Sequence, residues 1–312
     1  MFEESVNMKK KLIIIPLLTA ITTALIFTGC GNNNTSSKAT GGKPTITVGS
    51  KDFTENLILG ELYAEALEHA GYTVNRKFNL SDAIVHTSLV NGAIDLYPEY
   101  TGTGLLSILK EPPMYDSQKV YDEVSKKYEE KFHITWLNPS EANDSQGLVI
   151  TKKASEKYNI HTISDLQKNA SKLRFASQGE FDKRADGLPA LIKAYGPFNF
   201  ADEKIYNTGI LYDVLDSGKA DVAVAYTTDG NLVKSDYVLL KDDKHVWPPY
   251  NVAPIIRDSV LNKNPDIKDI LNKVTAKLDN KTLIKLNAEV DIDKKNYKTV
   301  AKEFYDKEFS KQ

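Results

Sequence analysis

Short apolar strand patterns alternate with helical ones along most of the chain. Ile46 and Val48 alternate with polar neighbours up to Gly49, which reads as a strand. Thr54 then stands where a helix can be capped, and Leu57, Ile58, Leu62 and Leu67 recur at helical spacing until Gly71 stops the run. A strand follows near Tyr72 to Phe78, a helix around Asp82 to Val90, and a strand near Ile94 to Tyr97. This βαβ alternation predicts an α/β fold with mainly parallel sheets covered by helices.

The pattern repeats. Leu173 and Phe175 form a second opening strand that ends at Ser177, about 127 residues after the first. In VNGAIDLYPEYT, Gly92 is followed by Asp95 and then by Tyr100–Thr101; in DSGKADVAVAYT, Gly218 is followed by Asp221 and Tyr226–Thr227 at the same offsets. Ser50 to Tyr100 spans 50 positions and Ser177 to Tyr226 spans 49, so each opening strand keeps its distance from its echo. Two lobes of similar architecture are the economical explanation. Ligands of open α/β sheets lie beyond the carboxyl ends of the strands, and each echoed Tyr sits just past such an end. Half-buried packing is the competing reading for both rings.

The N-terminus has a different pattern. Lys9, Lys10 and Lys11 precede a largely apolar run of 16 residues, Leu12 to Phe27, which contains a Pro and is short for a membrane span. Cys30, the chain's one Cys, follows the small Gly29, as in a bacterial lipobox, and Gly31 to Pro44 is too polar to fold. We expect a lipoprotein signal peptide over 1–29, lipid on Cys30 and a flexible tether over 30–44. A plain secretory signal with an incidental Cys is the rival reading. The mature protein would be held at the extracellular face of the cell membrane, since several acyl chains anchor stably where one does not.

Composition narrows the function classes. Lys+Arg 40 against Asp+Glu 42 leaves a net charge of −2, so no nucleic-acid partner is expected. The five His lack metal-ligand spacing, no G-x-S-x-G nucleophile elbow occurs, and there is no phosphate-binding G-x-x-x-x-G-K-[ST]. No metal, cofactor or catalytic residue is expected.

Tyr, by contrast, is abundant, at 16 of 312 residues. Tyr100, Tyr226 and Tyr250 fall near predicted strand ends, and Pro248 and Pro249 stiffen the approach to Tyr250. Ring faces attract cations, by about 0.5 to 2 kcal/mol each, which suits a bulky ammonium with no N–H to donate. Lys51 and Arg184 occupy corresponding loops in the two halves, and Thr103 adds a hydroxyl; together they can hold a carboxylate. A solvated surface charge is the bland alternative for either cation.

GSKDFTEN (Gly49 to Asn56), DLYPEYTGT, R-x-D-G at Arg184 to Gly187, VAYTTDG, and PPY at Pro248 to Tyr250 resemble, in order and spacing, the substrate-binding lipoproteins of osmoprotectant ABC importers. The resemblance runs from about Thr45 to Phe309. It implies a two-lobed periplasmic-binding-protein fold, type II, with lobe I from 45–145 plus 251–312 and lobe II from 146–250. It also implies a quaternary ammonium ligand (glycine betaine, carnitine, proline betaine or choline) and ABC permease subunits as partners of a monomer. Tyr100, Tyr226 and Tyr250 match cage positions; Lys51, Thr103 and Arg184 match carboxylate-holding positions; Asp144 matches a polar cleft residue near the hinge. Gln146 stands where relatives place another cage Tyr, so the cage is either open on that side or closed by Tyr97 or Trp247. Retained Lys51 and Arg184 favour a zwitterion over choline. A ligand-sensing lipoprotein of the same fold, an adhesin and an extracellular enzyme are the alternatives.

Overall fold

The computed structural model describes residues 43–309. The expected signal peptide, Cys30 and all but the end of the tether lie outside the described residues. The rest forms two five-stranded sheets flanked by helices. The chain first lays down β1 (Thr45–Lys51), β2 (Thr73–Leu80), β3 (Leu96–Tyr100) and β4 (Ile134–Trp136). It then crosses over to build β5 (Gln146–Thr151), β6 (Arg174–Ser177), β7 (Asp202–Ile205), β8 (Val222–Tyr226) and β9 (Tyr237–Leu239). Finally it returns as β10 (Val252–Arg257).

The strand orders are β2-β1-β3-β10-β4 and β7-β6-β8-β5-β9, the same arrangement twice. In each sheet one strand is reversed, β10 or β5, and it is the strand by which the chain arrives from the other sheet. Helix α1 (Thr54–His69) buries Ile58, Leu59, Leu62, Tyr63 and Leu67 completely. Each such side chain contributes about 1.5 to 3 kcal/mol of burial.

The sequence echo has a mechanical basis. Gly92 and Gly218 both adopt left-handed turns, with φ of 74° and 66°, just ahead of β3 and β8. Beyond each turn an aspartate clamps the first strand of its sheet. Thr47 N donates to Asp95 Oδ2 at 2.8 Å while Asp95 N donates to Thr47 O at 2.7 Å; Arg174 and Asp221 repeat the exchange at 3.0 and 2.9 Å. The threonines work in parallel. Thr101 N donates to Asn251 O and Thr101 Oγ1 accepts from Asn251 N, both at 3.0 Å; Thr227 and Ser145 do the same at 2.9 Å. Each Thr therefore pins the incoming crossover to the sheet it is about to join.

Two local expectations change. Thr54 is the first helical residue, and its hydroxyl donates to Asp291 Oδ1 at 2.6 Å, so it does not cap α1. β3 begins at Leu96 because the turn after α2 (Asp82–Val90) continues through Ile94, whose N–H donates to Ser88 O at 3.2 Å. The strand then runs through Tyr100, so Tyr100 and Tyr226 are the last residues of β3 and β8 rather than loop residues.

Candidate ligand-binding site

Lys51 ends β1, where Asn56 fixes it. The Asn56 Oδ1 accepts from Lys51 N at 2.7 Å and its Nδ2 donates to Pro98 O at 2.9 Å, tying β1, the first turn of α1 and β3 into one corner. The buried Lys51 ammonium lies 2.7 Å from Glu99 Oε1 and 3.0 Å from Asp82 Oδ1. Burial alone would make it a weaker base, but the two carboxylates outweigh burial and raise its pKa. Glu99 is itself buried and also accepts from Tyr97 Oη at 2.7 Å and from Tyr100 N at 2.8 Å. Thr103, half-buried, lies in the short turn just after Tyr100.

The three tyrosines are held in different ways. Tyr100 Oη donates to Glu55 Oε1 at 2.9 Å, and its ring lies 5.3 Å from Lys51 Nζ and 6.0 Å from the ring of Phe53. Tyr250 Oη donates to Asp186 Oδ2 at 2.6 Å. The Tyr250 ring lies against Gly102, where a Cβ would meet it at 2.6 Å, so this approach requires glycine. Tyr226 Oη instead accepts a hydrogen bond from Gln178 Nε2 at 2.9 Å, and Thr208 Oγ1 fixes that amide by donating to Gln178 Oε1 at 2.6 Å. The Tyr226 proton is left pointing away from that donor. Burial pushes the Tyr226 phenol up to about 12 and the other two further, so all three stay neutral.

Arg184 is held by Asp186 through two hydrogen bonds of 2.9 and 2.7 Å. Burial opposes its charge, but Asp186 more than offsets this and raises its pKa; Asp186 is held below the usual carboxylate range against its own burial. The carbonyl of Asp186 accepts from Gln146 Nε2 at 3.1 Å and from Trp247 Nε1 at 2.7 Å. Trp247 thus shares an acceptor with Gln146, which also stands opposite Tyr226 across the β5–β8 pair, whereas Tyr97 is buried in the core beside β3. A cavity of about 720 Å³ opens beside Gln146 and Trp247, bounded also by Asn143, Ser145, Thr227 and Pro248. It lies along the crossovers, and the three tyrosines do not line it.

Three further carboxylates lie near these groups without an ion-pair partner among the described residues. Burial, with Glu55 nearby, pushes Asp144 well up; its Oδ1 accepts from Thr228 Oγ1 at 2.7 Å. Burial also raises Glu55 and takes Asp229 to about 7, although Tyr226 N and Tyr212 Oη donate to Asp229 Oδ2 at 2.9 and 2.8 Å. The helix Asn280–Asp291 joins the halves here, because Asn287 Nδ2 donates both to Glu55 Oε2 at 2.9 Å and to Thr228 O at 2.8 Å.

One electrostatic neighbourhood connects the sequence-predicted residues. The charge of Arg184 acts on Tyr226 and Tyr250, and that of Asp144 acts on Tyr100 and Tyr226. Sequence reasoning missed Glu55, Phe53, Asp82, Glu99, Gln178 and Asp186. Phe53, Glu55, Glu99 and Asp186 lie within motifs already singled out, but nothing in the spacing says which polar neighbour a side chain will meet.

A family model described as the substrate binding domain of the ABC-type glycine betaine transport system matches residues 44–307. The chain belongs to this family. It is a substrate-binding protein of ABC importers and not an enzyme, and such proteins act outside the cytoplasmic membrane with permease subunits. It is 33% identical over 306 residues to the carnitine transport binding protein OpuCC of Listeria monocytogenes, covering 96% of this chain and 97% of that one. It is also 33% identical over 268 residues to the ergothioneine transport permease/ergothioneine binding protein EgtU of Helicobacter pylori, covering 85% of this chain and 48% of that longer one. A crystal structure of a glycine betaine/carnitine/choline ABC transporter superposes with a TM-score of 0.75 at 30% identity, over 84% of this chain and 98% of that chain. The two-lobed periplasmic-binding fold is thereby established. Among the described residues no helix is long and apolar enough to cross a membrane.

Proposed function

We propose that this protein captures a quaternary ammonium osmoprotectant (glycine betaine, carnitine, proline betaine or choline) between its lobes and delivers it to an ABC permease. The cationic head sits among Tyr100, Tyr226 and Tyr250. Thr103 and Arg184 are the groups offered to a ligand carboxylate, with Lys51 behind them, and Asp144 and Gln146 border the head. The observation that carries this reading is the charge balance around the rings. Asp82, Glu99 and Asp186 outnumber Lys51 and Arg184, and the Tyr100 and Tyr250 hydroxyls donate to Glu55 and Asp186. Glu55, Asp144 and Asp229, which burial holds toward their neutral forms, ionise more readily once a cation arrives. Neutral ring faces backed by buried negative charge attract a desolvated cation, and each ring adds about 0.5 to 2 kcal/mol.

Closure follows from where the groups sit. Tyr100 and Lys51 belong to the first sheet and Tyr226 and Arg184 to the second half, so a ligand makes its full set of contacts only when the lobes approach. Differential contact of this kind is what shifts a population toward a closed state. Energy for transport comes from the permease's ATPase subunits. Residues 1–29 act as a signal, lipid on Cys30 and the tether over 30–44 hold the monomer at the membrane, and lobes I and II span 45–145 plus 251–312 and 146–250.

Calorimetric titration with glycine betaine, carnitine, proline betaine and choline tests the reading. One or more should bind with a 1:1 stoichiometry. Absence of heat and of any shift in melting temperature with all four would sink it.

A further inference from the structure

The inference concerns the ligand class of this same cleft and rests on the function just proposed. Lys51 has one positive charge and two carboxylate partners. Glu99, at 2.7 Å, is enclosed with it: the side chains are 4% and 1% exposed. Asp82, at 3.0 Å, is 50% exposed and faces solvent on its other side. Glu99 alone balances the ammonium, so Asp82 is a surplus anion lying where a second carboxylate would approach Lys51.

Asp82 is the first residue of α2, where the helix's unpaired N–H groups favour a negative charge. Arg184, from the second half of the chain, adds to its stabilisation, and Lys51 is the larger cause of its low pKa. Arg184 in turn is occupied on one side by Asp186. The exposed Asp82 carboxylate thus stands near both cations that sequence reasoning offers to a zwitterion.

We propose that Asp82 acts as a built-in substitute for a ligand carboxylate, so that the cleft is biased toward quaternary ammonium cations that carry no carboxylate, such as choline. A betaine can reach Lys51 only by displacing Asp82 or by accepting a like charge beside it. Choline brings no anion, and Asp82 adds to the field that attracts its ammonium. A role for Asp82 confined to holding the Lys51 corner in shape would affect every ligand alike.

Asp82→Asn removes the charge at a half-exposed first-turn position and keeps the side-chain volume, so folding should be retained, as far-UV circular dichroism and melting would show. Calorimetry of the wild-type protein and this variant, each with choline and with glycine betaine, reads the ratio of the two affinities. The ratio should move about fivefold toward glycine betaine in the variant, the size of one partly exposed ion pair. An unchanged ratio, or equal losses for both ligands, would overturn the assignment of Asp82 while leaving the cage intact. If the wild-type protein binds neither ligand nor carnitine or proline betaine, the functional reading fails and this inference falls with it.

Discussion

The Tyr250 hydroxyl donates to Asp186 at 2.6 Å, and the same carboxylate grips Arg184, so the returning crossover and the second-lobe cation are locked to each other. Tyr250→Phe keeps the ring and deletes only this bond. Asp186 Oδ2 would keep its bond from Arg184 and lose the one from the phenol, at a cost of about 1 to 3 kcal/mol in stability for a hydrogen bond to a charged group. Chemical denaturation should show that loss while cation affinity changes by less than the stability does. A variant as stable as the parent would mean that water replaces the hydroxyl.

Tyr226 differs from the other two rings because its hydroxyl accepts from Gln178 and keeps its own proton available. Tyr226→Ala should reduce affinity for every ligand by roughly 1 to 3 kcal/mol, as ring packing and cation attraction are lost together. Tyr226→Phe should spare choline and weaken carboxylate-bearing ligands. Calorimetry that finds both variants unaltered would remove Tyr226 from the site.

Arg184→Ala removes a donor and also strands Asp186 without its cation. Glycine betaine and carnitine should lose far more affinity than choline, which has no carboxylate to be held. Equal losses for all three, measured in parallel titrations, would contradict a carboxylate-holding role for Arg184.

Asp229 sets a pH dependence. Burial lifts its pKa from the ordinary 3.8 to about 7, so the folded state binds the proton more tightly than the unfolded chain does. Its contribution to stability is complete below about pH 4 and is lost as the pH rises through about 7. Asp291 and Glu55 are the charges that add to the shift. Asp229→Asn keeps an oxygen for the bonds from Tyr212 and Tyr226 but does not titrate. Its melting temperature should therefore gain on the wild type between pH 4 and 7 and hold that gain above. A difference that is flat with pH would assign the burial penalty elsewhere.

Much of this was legible in one dimension. The helix expected over Asp82 to Val90 has those bounds, and the Gly-x-x-Asp and Tyr-Thr echoes mark equivalent clamps and pins in the two sheets. Such features are local: a period, a turn that needs left-handed backbone, or an aspartate beside its own strand. The sequence by itself therefore determined the alternation of elements, the duplicated architecture and the family.

Only the tertiary structure decided which charges meet. Lys51 finds Glu99 48 residues away, Tyr100 finds Glu55, and Tyr250 reaches back 64 positions to Asp186. Which of 42 acidic residues neutralises a given cation depends on the loops that the sheets gather at one edge. Periodicity carries no record of that choice, because the energy of an ion pair depends on separation and burial in space and not on spacing along the chain.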